Sequence, residues 1–113
     1  MIEQEKLTKW LQNVHGYTVF DTSFEHPYTF KTKLSKRVES KSVCECNEKL
    51  SIYITVVKMN VGDGRFYNGV DVGITAEKKS KWWVLKAYSM GIDEVLNDIK
   101  EVEQDLIKMF NAL

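Results

Sequence analysis

Apolar and polar positions along this chain change period several times, and each change marks a new element. From Ile2 to Val14, Leu7, Trp10, Leu11 and Val14 recur at helical spacing, while Glu3, Glu5, Lys6, Lys9 and Gln12 form a solvated outer side. Gly16 follows as the residue best suited to a left-handed helix stop. The apolar stripe is narrow, the pattern of a helix laid on a sheet. From Ile92 to about Asn111, a broader stripe of Val95, Leu96, Ile99, Val102, Leu106, Met109 and Phe110 predicts a second helix. Asp93 and Glu94 sit at its start, where the helix dipole favours negative charge.

Between these helices the period falls to two. Tyr17 to Thr22 is rich in β-branched and aromatic residues and predicts a first strand, with Pro27 marking a corner after it. Tyr28, Phe30, Thr32 and Leu34 then alternate with Thr29, Lys31, Lys33 and Ser35, as expected where one face is buried and the other wet. In Lys36 to Lys49, Val38, Ser40, Ser42, Cys44 and Cys46 keep this parity, so the stretch is either a continuation or a separate short strand. Leu50 to Asn60 is apolar at nearly every position, the mark of a central strand. Val61-Gly62-Asp63-Gly64 is a hairpin signal, because its glycines accept positive φ. The returning strand, Arg65 to Ala76, sets Phe66, Val70, Val72 and Ile74 against Tyr67, Asp71 and Thr75. Gly69 and Gly73 fall on the polar parity, where a glycine permits twist, a bulge or close approach of another group. After a charged turn over residues 77–81, Trp82 to Tyr88 completes the set.

Connections of hairpin length leave no room for parallel crossovers. The fold class expected is therefore α+β: a single domain, residues 1–113, with an antiparallel sheet of about five strands and terminal helices packed on one face.

Composition narrows the function classes. Sixteen basic residues balance sixteen acidic ones, so no net field draws the whole molecule to nucleic acid or an anionic membrane. The opening MIEQEKLTKW mixes charges with apolar residues, so neither a signal peptide nor a membrane span is expected. Cys44 and Cys46 would point to one strand face, where a mutual disulfide is strained, and two reduced thiols suit a cytoplasmic location.

No catalytic or metal constellation emerges. Cys44, Cys46, His15 and His26 have zinc-ligand types, but a C-x-C pair with both histidines far upstream matches no common spacing. Asp63 between two glycines lacks the further carboxylates that calcium requires and reads as a turn. Gly62 to Arg65 precedes a strand, not the helix N-terminus that a phosphate cradle needs. No cofactor is expected, and the chain reads as a non-enzyme.

Charge separation is more informative. Lys31, Lys33, Lys36, Arg37 and Lys41 face only Glu39 between Tyr28 and Lys41, and Lys78, Lys79, Lys81 and Lys86 face only Glu77 near the last turn. Acidic residues Asp93, Glu94, Asp98, Glu101, Glu103 and Asp105 dominate the last helix. Lys31 and Lys33 lie on the parity opposite Phe30 and Leu34, either as edge guards or as part of a binding face. Lys31, Lys33, Arg37, Tyr53, Tyr67, Lys78, Lys79, Lys81, Trp82 and Trp83 are the candidate binding residues. Alternation keeps the adjacent tryptophans from entering one core together.

The order helix, strands, helix invites comparison with double-stranded RNA-binding domains. That resemblance fails on residues: no histidine-bearing loop follows the middle hairpin, and Asp93 and Glu94 open the last helix where those domains present lysines. The function expected is a small protein-binding module, an adaptor, inhibitor or immunity-like factor using an exposed sheet face or rim, through a protein partner or self-association. The alternative is nucleic-acid binding by the basic, aromatic-flanked strands.

Overall fold

Helix α1 (Glu3–His15) opens the fold and ends where the pattern requires. Gly16 takes a φ of 73°, and the Tyr17 amide donates to the Leu11 carbonyl at 3.1 Å, turning the chain into β1 (Thr18–Thr22). Strands β2 (Tyr28–Val38), β3 (Lys49–Gly62), β4 (Arg65–Lys78) and β5 (Lys81–Met90) follow, and α2 (Ile92–Asn111) closes the order. The computed structural model describes residues 3–22, 28–38, 49–78 and 81–111, and side chains for all of these except 49, 76–78, 81–88 and 109–111.

The sheet is an antiparallel meander in the order β1-β2-β3-β4-β5, so every strand pairs with its neighbour in sequence. Its longest hairpin joins β3 to β4 through Asp63 and Gly64, whose φ values of 53° and 72° are both positive. That backbone matches the twist of the flanking strands, which is why Asp-Gly is favoured there. Gly62, at φ 97°, pairs with Arg65, and its amide donates to the Asn60 side chain at 2.9 Å. Each strand of the hairpin has 14 residues, about 46 Å of chain at ~3.3 Å per residue, which accounts for most of the 51 Å long axis.

Alternation sorts the sheet into two faces. Leu34, Ile54 and Val72 lie side by side across β2, β3 and β4, as do Thr32, Val56 and Val70, and all are buried. Against this face α1 presses Leu7 and Leu11, and α2 presses Val95, Ile99 and Leu106, so both helices share one side of one core. Helix α1 lies over β3, α2 lies over β4 and β5, and the helices touch each other.

The helical stripes are narrower than the sequence suggests. Val14 is 63% exposed and Leu96 is 44% exposed, because each lies on the flank of its stripe, turned away from the sheet. Polar residues take core positions instead. Gln4 is buried and donates to the Asn68 side chain at 2.6 Å, while the Thr8 hydroxyl folds back onto the Gln4 carbonyl at 2.8 Å. Strand β2 runs on to Val38, so the chain continues the strand at least that far. The remainder of the 36–49 stretch, with Cys44 and Cys46, lies outside the described residues up to Lys49, as do His26 and the Pro27 corner.

Candidate functional site

On the opposite face, among the described residues, no helix packs against the sheet. Lys31, Lys33, Ser35 and Arg37 from β2, Ser51, Tyr53, Thr55, Val57 and Met59 from β3, and Tyr67, Asp71 and Thr75 from β4 share that parity. Two adjoining troughs run along it. The larger, about 510 Å³, is lined by Phe20, Lys33, Ser35, Ser51, Tyr53, Thr55 and Thr75. The smaller, about 280 Å³, is lined by Tyr28, Lys31, Lys33, Thr55, Val57, Met59, Tyr67 and Asp71. Lys33 and Thr55 belong to both and mark the saddle between them.

The wall at Phe20 comes from an irregularity in the edge strand. Val19 pairs with Leu34 and Asp21 with Lys33, so Phe20 is an extra residue with no partner of its own. A bulge of this kind bends the strand and re-aims the side chain it carries. Val19 packs against the core while Phe20, 60% exposed, overhangs the larger trough. The same slip sets Asp21 beside Lys33, Oδ2 to Nζ 3.8 Å. At that separation, and with both side chains well exposed, the pair contributes little to stability.

The floor is shaped by two glycines. Tyr53 lies opposite Gly73 and folds across it, so that an added Cβ at Gly73 would stand 2.5 Å from Tyr53 Cε1. Tyr67 does the same within its own strand, where a Cβ on Gly69 would stand 2.6 Å from the Tyr67 hydroxyl. Both glycines therefore exist to be covered, which is the close-approach reading of their polar parity. Burial, with the Asp71 carboxylate adding to it, raises the Tyr53 phenol above its usual range, so it remains a protonated donor at neutral pH. Asp71 also accepts a hydrogen bond from the Ser89 hydroxyl at 2.9 Å, and Thr75 donates a long bond to the Ser51 carbonyl at 3.4 Å.

Of the candidate residues read from the sequence, the structure brings Lys31, Lys33, Arg37, Tyr53 and Tyr67 onto one face. Lys31 Nζ stands 4.6 Å above the Tyr28 ring, a cation–π contact at the rim of the smaller trough. Lys79 lies outside the described residues, as do the side chains of Lys78, Lys81, Trp82 and Trp83. Their backbones show only that Trp82 pairs with Glu77, Trp83 with Ala76 and Lys81 with Lys78. Sequence reasoning missed Phe20, and the bulge that re-aims it leaves no mark in the hydrophobic pattern. Ser35, Ser51, Thr55 and Thr75 carry the right parity but were not singled out.

The run of cations on β2 is split by the pleat. Lys36 points to the helix side, where its ammonium pairs with Glu103 of α2 and lies 4.6 Å over the Tyr17 ring. Glu103 is buried, in contrast to the solvated position that its place among the acids of α2 suggests. The Tyr17 hydroxyl is enclosed beside it without a hydrogen bond of good geometry among the described residues, and burial, then the Glu103 charge, hold the phenol protonated far above its usual range. His15 stacks edge-on against Trp10, centroids 4.3 Å apart. Its pKa is lowered by desolvation, with Glu103 opposing the shift and Lys36 and Lys100 reinforcing it. This seam ties α1, β2 and α2 together with no adjoining cleft of its own among those described.

Among the described residues no three or more His, Cys, Asp or Glu side chains gather as metal ligands, and no helix is long and apolar enough to cross a membrane. Compared with known proteins, the chain matches no family model, and neither a curated protein nor a solved structure matches it significantly.

Proposed function

We propose that this chain is a non-enzymatic protein-binding module that engages its partner through the uncovered sheet face and the adjoining hairpin rim. The observation that carries this reading is the composition of that face. Phe20, Tyr28, Tyr53, Val57, Met59 and Tyr67 lie partly or largely exposed beside Lys31, Lys33 and Arg37. Aromatic residues, Met and Arg are the types enriched at protein interfaces. The rim extends the surface, because residues 61–68 of the hairpin are all exposed, including Val61, Phe66 and Tyr67 at 51%, 46% and 47%. A monomer seldom leaves so many large apolar groups together in water without a use for them.

The test is capture from native extract by the wild-type chain beside two variants. Tyr67→Asp with Lys31→Glu alters the open face, and Lys9→Glu alters the exposed side of α1. The open-face variant should lose the partner and the helix variant should keep it. Equal capture by both variants would refute the reading, and a mass that rises with protein concentration would identify the partner as a second copy.

Nucleic-acid binding draws on the same cations, since Lys31 and Lys33 stand beside Tyr28 and Tyr67 in one trough. Asp21 and Asp71 lie among them and weaken the positive field. On that alternative, oligonucleotide affinity falls steeply as salt is added, through counterion release.

A further inference from the structure

The larger trough has features that a flat protein interface does not need. Its volume of about 510 Å³ falls inside the range of about 300–1,000 Å³ typical of small-ligand clefts. Two aromatic rings lie along it, Phe20 as an overhanging wall and Tyr53 flattened onto Gly73 as floor. Between them are the hydroxyls of Ser35, Ser51, Thr55 and Thr75 and, among the described residues, a single cation, Lys33. The carboxylate paired with that cation, Asp21, is 3.8 Å away and half exposed, so an incoming anion can displace it at small cost. Rings that stack, hydroxyls that orient and one ammonium select a ligand with a flat apolar body and one negative group.

We propose that the trough between Phe20 and Tyr53 binds a planar aromatic organic anion, with its rings beside Phe20 and Tyr53 and its anionic group on the Lys33 ammonium. The bulge in β1 is the device that makes this site, since without the extra residue Phe20 would not overhang the trough. This site goes beyond the protein-binding reading and does not depend on it.

The probe is anilinonaphthalene sulfonate, a fused-ring anion whose emission rises and shifts to the blue when it leaves water, titrated against the intact chain. The expected result is saturable binding at one site per chain. Lys33→Met should weaken it about tenfold, the effect of losing one charge-assisted contact. Phe20→Ala should also weaken it several-fold, whereas Leu96→Ala, on the helix side, should leave it unchanged. The uncharged analogue phenylnaphthylamine separates the two contributions: Lys33→Met should spare its binding and Phe20→Ala should reduce it. Naphthoate should displace the probe and laurate should not. Both variants lie on exposed side chains and should keep the wild-type cooperative unfolding transition, which excludes binding to a loosened state. Unsaturable binding, equal affinity in Lys33→Met and wild type, or displacement by laurate as well as or better than by naphthoate would each overturn the proposal. Loss of protein capture alone would leave it standing.

Discussion

The two faces of this sheet are built from the same strands, residue against next residue, yet they follow different rules. On the helix side Ile52, Ile54, Val56, Val72 and Ile74 are all but inaccessible, and the Lys36 ammonium beside them has a buried partner. On the other side the neighbours of those residues, Ser51, Tyr53, Thr55, Asp71 and Thr75, keep contact with water and carry hydroxyls, rings and loosely held charges. The first face is specified by packing, where a lost methylene is felt throughout the core. The second face is specified by what it leaves unfilled. On the proposed function, stability and recognition are thus separated by the pleat, which sends successive side chains to opposite sides.

The sharpest way to break that comparison is to truncate adjacent residues on β3. Ile54→Ala should cost about 4 kcal/mol, the upper part of the range for a fully enclosed aliphatic side chain, while Thr55→Ala next to it should change stability by less than about 1 kcal/mol. Urea denaturation of the two variants measures the ratio, and similar losses would mean that the faces are not distinct.

Next in size is the ion pair beneath the helices. Glu103→Ala leaves the Lys36 ammonium partly enclosed without its carboxylate and should cost about 3 kcal/mol. Replacing both residues, Lys36→Met with Glu103→Leu, should recover most of that loss, because two apolar groups no longer pay for desolvating charge. A double variant as unstable as the single one would show that the pair supports the fold in some way beyond neutralising buried charge.

On the open face, Gly73→Ala must move the Tyr53 ring, and a cost of about 1 kcal/mol is expected from crowding offset by the better strand propensity of alanine. The informative readout is the ring itself. Aromatic proton shifts of Tyr53 should move, and the trough should lose probe affinity. An unchanged Tyr53 spectrum would mean that the ring does not rest on the glycine.

The smallest effect is the pH response of the seam. The folded pKa of His15 is depressed, so the unfolded chain binds more protons than the folded one just below the ordinary histidine pKa of 6.5. The stability tied to this group is complete above 6.5 and declines as pH falls toward the folded value. His15→Gln should flatten that part of the stability profile, and an unchanged slope would assign the proton uptake elsewhere.

Much of the architecture was legible because it depends on period and punctuation. The Asp63-Gly64 turn, the Gly16 helix stop and the bounds of α2 are local features, and local chemistry decides them. The open face was legible to the extent that parity determines it, which is why Lys31, Lys33, Arg37, Tyr53 and Tyr67 lie together. Phe20 was not, because a bulge shifts register without altering the apolar pattern, and only the partner strand reveals it. Glu103 was hidden for a similar reason: its ammonium partner comes from β2, far away in sequence, and no helical wheel reports that. The burial of Gln4 and Thr8 has no mark in the apolar pattern of α1, since Asn68, which accepts from Gln4, comes from β4.

The order of the strands has a bearing on how this molecule could change over generations. In a meander each strand depends on its immediate neighbours, and β1, at the margin, is bonded, among the described strands, to β2 alone. It is also short and largely exposed, so substitutions there disturb little of the core. The wall of the trough therefore stands on the most expendable strand of the sheet. Selection could resculpt the shape of this surface, and with it the proposed binding, through β1 while the scaffold behind it stays fixed.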